Sequence, residues 1–176
     1  MLKVFFDSLT RLANRISPET ILEVGCGEGF STRRLVKVFG TATRYRAIEI
    51  DSYFAEQARL RNPSINIEQG SVYELPSEAA DLIICLEVLE HLEKPDLALE
   101  TLFRASRSHV VLSVPREPLW SFGNLARGKY IRNFGNTPGH IQKWSKSDFV
   151  EFVSQFGKVL NVASPLPWTV VLAAKR

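Results

Sequence analysis

Short runs rich in isoleucine, valine and leucine recur along this chain, and each is followed by a run with helical character. The apolar runs are TILEVG (20–25), YRAIEID (45–51), INIEQG (65–70), DLIICLE (81–87) and HVVLSVP (109–115). Their near-continuous apolar character predicts strands covered on both faces, as in a parallel sheet. Between them, STRRLVKVFG offers Ser31 or Thr32 as a helix N-cap and Gly40 as the stop. DSYFAEQARLRNP starts at Asp51 or Ser52 and is closed by Pro63. KPDLALETLFRAS carries Pro95 in its first turn, where a missing N–H costs little. Alternating units of this size predict an α/β domain with right-handed crossovers.

The last third departs from that rhythm. Residues 116–144 show no clear periodicity, and SKSDFVEFVSQFG (145–157) reads as a helix, with Ser145 and Asp148 spaced as a capping box and Gly157 as its stop. KVLNVAS and WTVVLAAK, joined by PLP, predict an antiparallel hairpin at the sheet edge. A loop of about thirty residues inside a compact domain is functional or disordered. Here Trp120, Phe122, Tyr130, Phe134 and Trp144 argue against disorder.

Composition narrows the class. At 176 residues, 45% apolar and 23% charged, the chain suits one globular domain (1–176), with 116–146 as an insertion on the substrate side. No apolar stretch approaches the roughly 20 residues of a spanning helix. The amphipathic start is interrupted by Asp7 and Asn14 and lacks a small-residue cleavage site, so no secretory signal is expected. Cys26 and Cys85 suit neither a disulfide framework nor a zinc site, and the expectation is a reduced, cytoplasmic protein. No cluster of metal-ligand type has believable spacing, so no metal is predicted. The net charge of +3 is uneven: residues 116–146 carry six basic side chains against Glu117, leaving −2 for the rest. That asymmetry points to an anionic partner near the insertion.

Three glycines at alternate positions, Gly25, Gly27 and Gly29, follow the first predicted strand, at the end of a sheet where ligands bind. Their G-x-G-x-G spacing differs from the G-x-G-x-x-G of dinucleotide folds. Alone, they fit either a ligand site or a tight turn. Glu23, two positions before the first glycine, would repel a pyrophosphate yet attract the ammonium of an amino-acid moiety. Glu49, at the end of the second strand, is placed to accept hydrogen bonds from ribose hydroxyls.

ILEVGCGEGFSTRRL resembles the first motif of the class I S-adenosylmethionine-dependent methyltransferases, and AIEID resembles their second. IEQGSVYELP is similar to the third-strand motif, and ADLIICLEVLEHLEKPDLALETLFRAS to the fourth region of the small-molecule branch, which includes the ubiquinone and menaquinone biosynthesis methyltransferases. The resemblance covers residues 18–115 and reaches the tail only in topology. It implies a Rossmann-like α/β/α sandwich with a seven-stranded, mostly parallel sheet whose last strand is antiparallel, and S-adenosylmethionine as cofactor. It also implies that Glu23 and the backbone of Gly25, Cys26, Gly27 and Gly29 face the methionine part, while Glu49 holds the ribose. Ile50 would pack on the adenine, Ser71 and Val72 would flank its edge, and Leu86 and Glu87 would line the transfer site. Ser71 departs from the Asp often found there, leaving the Val72 backbone for adenine recognition.

A sulfonium methyl is already activated, so the protein must mainly align the nucleophile, exclude water and sometimes take a proton. His91 matches the family pattern near the cofactor or orients the following loop. His109 reads as structural. His140, in the basic segment, is a candidate general base or a hydrogen-bonding loop residue. The aromatics form either a lid core or an acceptor surface. The expected activity is O- or C-methylation of a small or lipid-like acceptor, anionic or aromatic. The alternatives are an RNA or protein methyltransferase, and a non-catalytic cofactor-binding protein. The Asn-Pro-Pro-Tyr signature of amino-methylating enzymes is missing at CLEV, and Cys85 reads as core packing.

Overall fold

The computed structural model describes residues 2–13, 15–40, 44–128, 137 and 139–176, with the side chains at 13, 122 and 123 outside that description. The chain enters as helix α1 (Leu2–Ala13) and continues through strand β1 (Thr20–Val24), α2 (Phe30–Phe39), β2 (Arg44–Glu49), α3 (Ser52–Arg61) and β3 (Asn66–Gln69). Strand β4 (Ala80–Leu86), helix α4 (Pro95–Ala105) and β5 (Ser106–Pro115) follow. The chain closes with α5 (Leu119–Ala126), α6 (Lys146–Ser154), β6 (Gly157–Ala163) and β7 (Trp168–Lys175). Single 3₁₀ turns lie at Val72–Glu74 and Leu89–His91.

All seven strands join one sheet in the order β3-β2-β1-β4-β5-β7-β6. β7 is antiparallel to both β5 and β6, so it alone runs against the rest. Strand order reverses between β1 and β4, and the crevice beyond their carboxyl ends is where open α/β sheets take ligands. The apolar runs are buried on both faces: Val110, Leu112 and Val114 pack toward α4 and α6, and Val111 packs toward α1 and α2. That two-sided burial is why their sequence lacks polar alternation.

Local chemistry accounts for the starts of α3, α4 and α6. The Asp51 carboxylate accepts the Phe54 N–H at 3.1 Å, and Pro95 opens α4 where its missing donor is harmless. Helix α2 begins earlier than its candidate caps predict: Gly29, two positions before Ser31, occupies the cap position without a side-chain bond, and Thr32 spends its hydroxyl on Glu23. At α6 the Ser145 hydroxyl accepts the Asp148 N–H at 3.3 Å. Gly157 does not stop that helix, which ends at Ser154. It opens β6, where a Cβ would lie 2.2 Å from the Phe103 ring. The segment after Pro115 also departs from expectation, because Leu119–Ala126 is helical. Tyr130, Phe134 and the Phe122 side chain, expected in a lid core or acceptor surface, lie outside the described residues.

Candidate functional site

The loop leaving β1 sets the floor of the site. The N–H groups of Gly25 and Cys26 both donate to the Ile48 carbonyl, at 2.9 and 3.1 Å, which folds the loop over the end of β2. Gly25 has φ 78°, and a Cβ there would fall 2.4 Å from a Val88 methyl. Gly27 has φ 53°, yet its missing Cβ would meet open space. The Gly27 N–H donates to Glu49 Oε2 at 2.8 Å, and the Asp51 N–H donates to Glu49 Oε1 at 3.1 Å. The Glu49 carboxylate is thereby fixed at the lip of the crevice.

A cavity of about 490 Å³ opens here. Gly25, Gly27, Glu49 and Ile50 line one side, Ser71 and Val72 another, and Glu87 and His91 a third. Phe54, Tyr73, Val88 and Leu92 also line it and were not singled out from sequence. Their apolar character gives no local motif, and only the fold turns them toward one space. Glu23, Cys26 and Leu86 line an adjoining hollow of about 260 Å³. Gly29 lines neither: with φ 79° and a virtual Cβ 2.4 Å from Asn62 Nδ2, it permits the close approach of α2 and α3.

Glu23 is buried, and its Oε2 accepts hydrogen bonds from Thr32 Oγ1 at 2.7 Å and Tyr45 Oη at 2.9 Å. Burial outweighs those bonds and raises its pKa from 4.5 to about 7. Desolvation likewise pushes the thiols of Cys26 to about 12 and Cys85 upward, which makes both poor nucleophiles.

A second acidic group sits opposite the glycines. Glu87 follows β4 with φ 58°, a left-handed conformation rare outside glycine. Its Oε1 accepts from Ser113 Oγ at 2.7 Å and its Oε2 from Trp168 Nε1 at 2.8 Å. Burial raises the Glu87 pKa to about 7. Glu90, three positions on, is 2% exposed, and neither carboxylate oxygen has a partner among the described residues. Desolvation, with Glu87 as a like-charged neighbour, lifts its pKa well above the ordinary carboxylate range.

Glu90, His91 and His140 bring their ligand atoms within 4.8 Å of one another. Sequence spacing offered no such cluster; the fold brings these three side chains together. Glu87-x-x-Glu90-His91 was legible locally, but His140 lies far downstream, and the Ile141 and Gln142 N–H groups donate to the Glu90 carbonyl to bring it in. The His91 ring meets His140 with centroids 4.8 Å apart. His91 Nδ1–H donates to the Gly139 carbonyl at 2.9 Å, which orients the ring and leaves Nε2 as the nitrogen turned to other partners. Burial and the His91 charge lower the His140 pKa. An orphaned buried carboxylate beside imidazoles suits a divalent cation.

The described part of the insertion divides. Trp120 stacks on His140 at 6.0 Å and donates to Thr137 Oγ1 at 2.9 Å, so it belongs to the site. Trp144 instead packs against Phe149 and Phe152 on the far face of the sheet. His109 stands at the opposite end of β5, bonded through Nδ1 to Ser108 Oγ, and takes no part. Among the described residues, no helix is long and apolar enough to cross a membrane.

A family profile described as a methyltransferase domain matches residues 1–160. A probable S-adenosylmethionine-dependent methyltransferase of Mycolicibacterium smegmatis is 27% identical over 84% of this chain and 54% of its own length. A ubiquinone biosynthesis O-methyltransferase of Rickettsia felis is 33% identical over 52% of this chain and 38% of its own. A small RNA 2′-O-methyltransferase of Rattus norvegicus is 27% identical over 85% of this chain and 41% of its own. The chain thus spans about half, or less, of these curated relatives. In structure it is similar to the magnesium protoporphyrin IX methyltransferase of Synechocystis, solved with S-adenosylhomocysteine. The TM-score is 0.74 at 16% identity, covering 98% of this chain and 82% of that one.

Proposed function

The chain belongs to the S-adenosylmethionine-dependent methyltransferase domain family, and from that premise we propose that it methylates an oxygen of a hydroxyl-bearing acceptor. The observation that carries the choice of oxygen is the Glu90, His91 and His140 cluster beside the cavity. Such a donor set would hold a divalent cation, which would lower the pKa of a coordinated hydroxyl. The relatives named for ubiquinone biosynthesis and for small RNA are both O-methyltransferases, which supports the same reading.

When bound, S-adenosylmethionine supplies a methyl group already activated on sulfur. In this reading Glu23 and the backbone of Gly25, Cys26 and Gly27 receive the methionine end and Glu49 takes the ribose hydroxyls. Ile50, Ser71 and Val72 enclose the adenine, with Leu86 and Glu87 at the transfer end. His91, oriented by Gly139, and Glu90 grip the acceptor side. Trp120, stacked on His140, covers that side and helps exclude water. The acceptor class we favour is a small or lipid-like, anionic molecule, because the cavity is concave and partly enclosed by aromatic rings. A 2′-hydroxyl of RNA is the second reading, favoured by the rat relative and by the exposed Lys143 and Lys146.

The test follows formation of S-adenosylhomocysteine with a panel of hydroxylated aromatics, hydroxy acids and short RNA, with Mg²⁺ and with chelator. Turnover confined to hydroxyl acceptors and abolished by chelator is expected. Turnover only on amines or carbon, indifferent to chelator, would overturn oxygen as the attacked atom.

A further inference from the structure

Glu87 is held by strands other than its own. Ser113 on β5 grips it twice: its carbonyl accepts the Glu87 N–H at 3.1 Å, and its hydroxyl donates to Oε1 at 2.7 Å. The remaining oxygen accepts the indole N–H of Trp168, the first residue of β7, at 2.8 Å. A carboxylate oxygen has two acceptor sites, so each oxygen keeps one for a ligand.

The indole cannot easily turn away. Trp168 is 8% exposed, with Phe5 of α1 against it at 5.0 Å between ring centroids and Trp120 of α5 at 6.0 Å. Trp120 in turn stacks on His140. One aromatic side chain therefore touches the N-terminal helix, the acceptor-side cover and the acid at the cavity wall. A core-filling role would be met by a phenyl ring. The directed N–H is what a phenyl ring lacks.

We propose that Trp168 is a positioning residue, whose indole N–H, together with the Ser113 hydroxyl, aims the Glu87 carboxylate at the cationic centre of the cofactor. This rests on the reading that places Glu87 at the transfer end of the cavity. Loss of the N–H frees Oε2 to rotate and weakens selection for positive charge there, while the adenosine contacts stay as they are.

Two cofactor analogues test this without knowledge of the acceptor. Sinefungin carries an ammonium group where the methylated sulfur stands, and S-adenosylhomocysteine is neutral at that point. Their affinity ratio, measured by calorimetry, reports the aim of Glu87 and cancels general losses of binding. Glu87→Gln is expected to lower the preference for sinefungin about tenfold, as for loss of one charge-assisted contact, and Trp168→Phe and Ser113→Ala about threefold or more. In the unmutated protein the Trp168 indole N–H resonance should move when sinefungin binds, and move less with S-adenosylhomocysteine. That measurement stands even if Trp168→Phe fails to fold. A wild-type ratio in Trp168→Phe, with Glu87→Gln impaired, overturns the positioning role. A wild-type ratio in both removes Glu87 from the transfer site, and the proposal falls with it.

Discussion

Replacing Glu49 by alanine separates cofactor binding from folding. In the free protein its two oxygens accept the N–H groups of Gly27 and Asp51. Each hydrogen bond to a charged group is worth about 1.5–3 kcal/mol. Both donors lie at the lip of an open cavity, so water can take over when the carboxylate is gone. The stability cost is therefore about 1–2 kcal/mol, at the low end for a lost charged acceptor. Binding suffers more. Two ribose hydroxyls lose a fixed charged acceptor, together about 3–6 kcal/mol, or a weakening of roughly 100-fold to 10,000-fold. The Gly27 turn also loses its tether, which removes preorganisation on the methionine side. Calorimetry with S-adenosylhomocysteine measures the affinity, and thermal unfolding without ligand measures the rest. A variant that melts normally and binds within twofold of the parent would refute the ribose assignment. One that has lost several kcal/mol of stability would show Glu49 to be mainly structural.

Four further expectations follow from the same geometry. Glu23 titrates near 7 when folded against 4.5 when exposed, so the native state holds the extra proton between those values. Its contribution is fully present below pH 4.5 and lost as pH rises through 7, about 3–4 kcal/mol in all. Glu23→Gln should flatten that slope, and melting curves at pH 5 and 8 that fall equally for both proteins would refute the buried-acid account. Gly29→Ala should destabilise by about 2 kcal/mol or more, since the added methyl meets Asn62 in a left-handed backbone, yet leave the remaining folded protein binding cofactor normally. Gly27→Ala should do the reverse, costing about 1 kcal/mol of stability while obstructing the cavity; denaturant unfolding and calorimetry distinguish the two. His140→Ala should reduce turnover at least tenfold with little change in cofactor affinity. Excess Mn²⁺ should not restore it, and unchanged turnover on a genuine acceptor would remove His140 from the mechanism.

Much of this site is written locally, and the rest is not. The strands were legible because burial on both faces leaves an unbroken apolar signature. Asp51 and Pro95 announced their helices because their chemistry acts within one turn. Glycines proved ambiguous for a physical reason: Gly27 faces a cavity and Gly29 faces a neighbouring helix, and a missing side chain looks the same in both. The metal-type cluster was missed because His140 lies far along the chain from Glu90 and His91, and is brought to them by the bonds of Ile141 and Gln142 to Glu90 and of His91 to Gly139. Helix α5 escaped notice because it is eight residues long and contains Gly123.

The placement of β7 between β5 and β6 has a consequence for the order of assembly. It pairs with β5 over seven positions and completes a sheet whose other half is already encoded by residue 115. A growing chain can lay down β1 to β5 as it emerges, because each parallel crossover needs only sequence already made. The β6–β7 hairpin must then dock its β7 strand on the open edge of β5, a pairing of distant segments that is slow by topology. Until it does, Glu87 has one of its two restraints, and a strand edge rich in valine and leucine lies open. Catalytic competence and protection from edge-to-edge aggregation therefore arrive in the same late event.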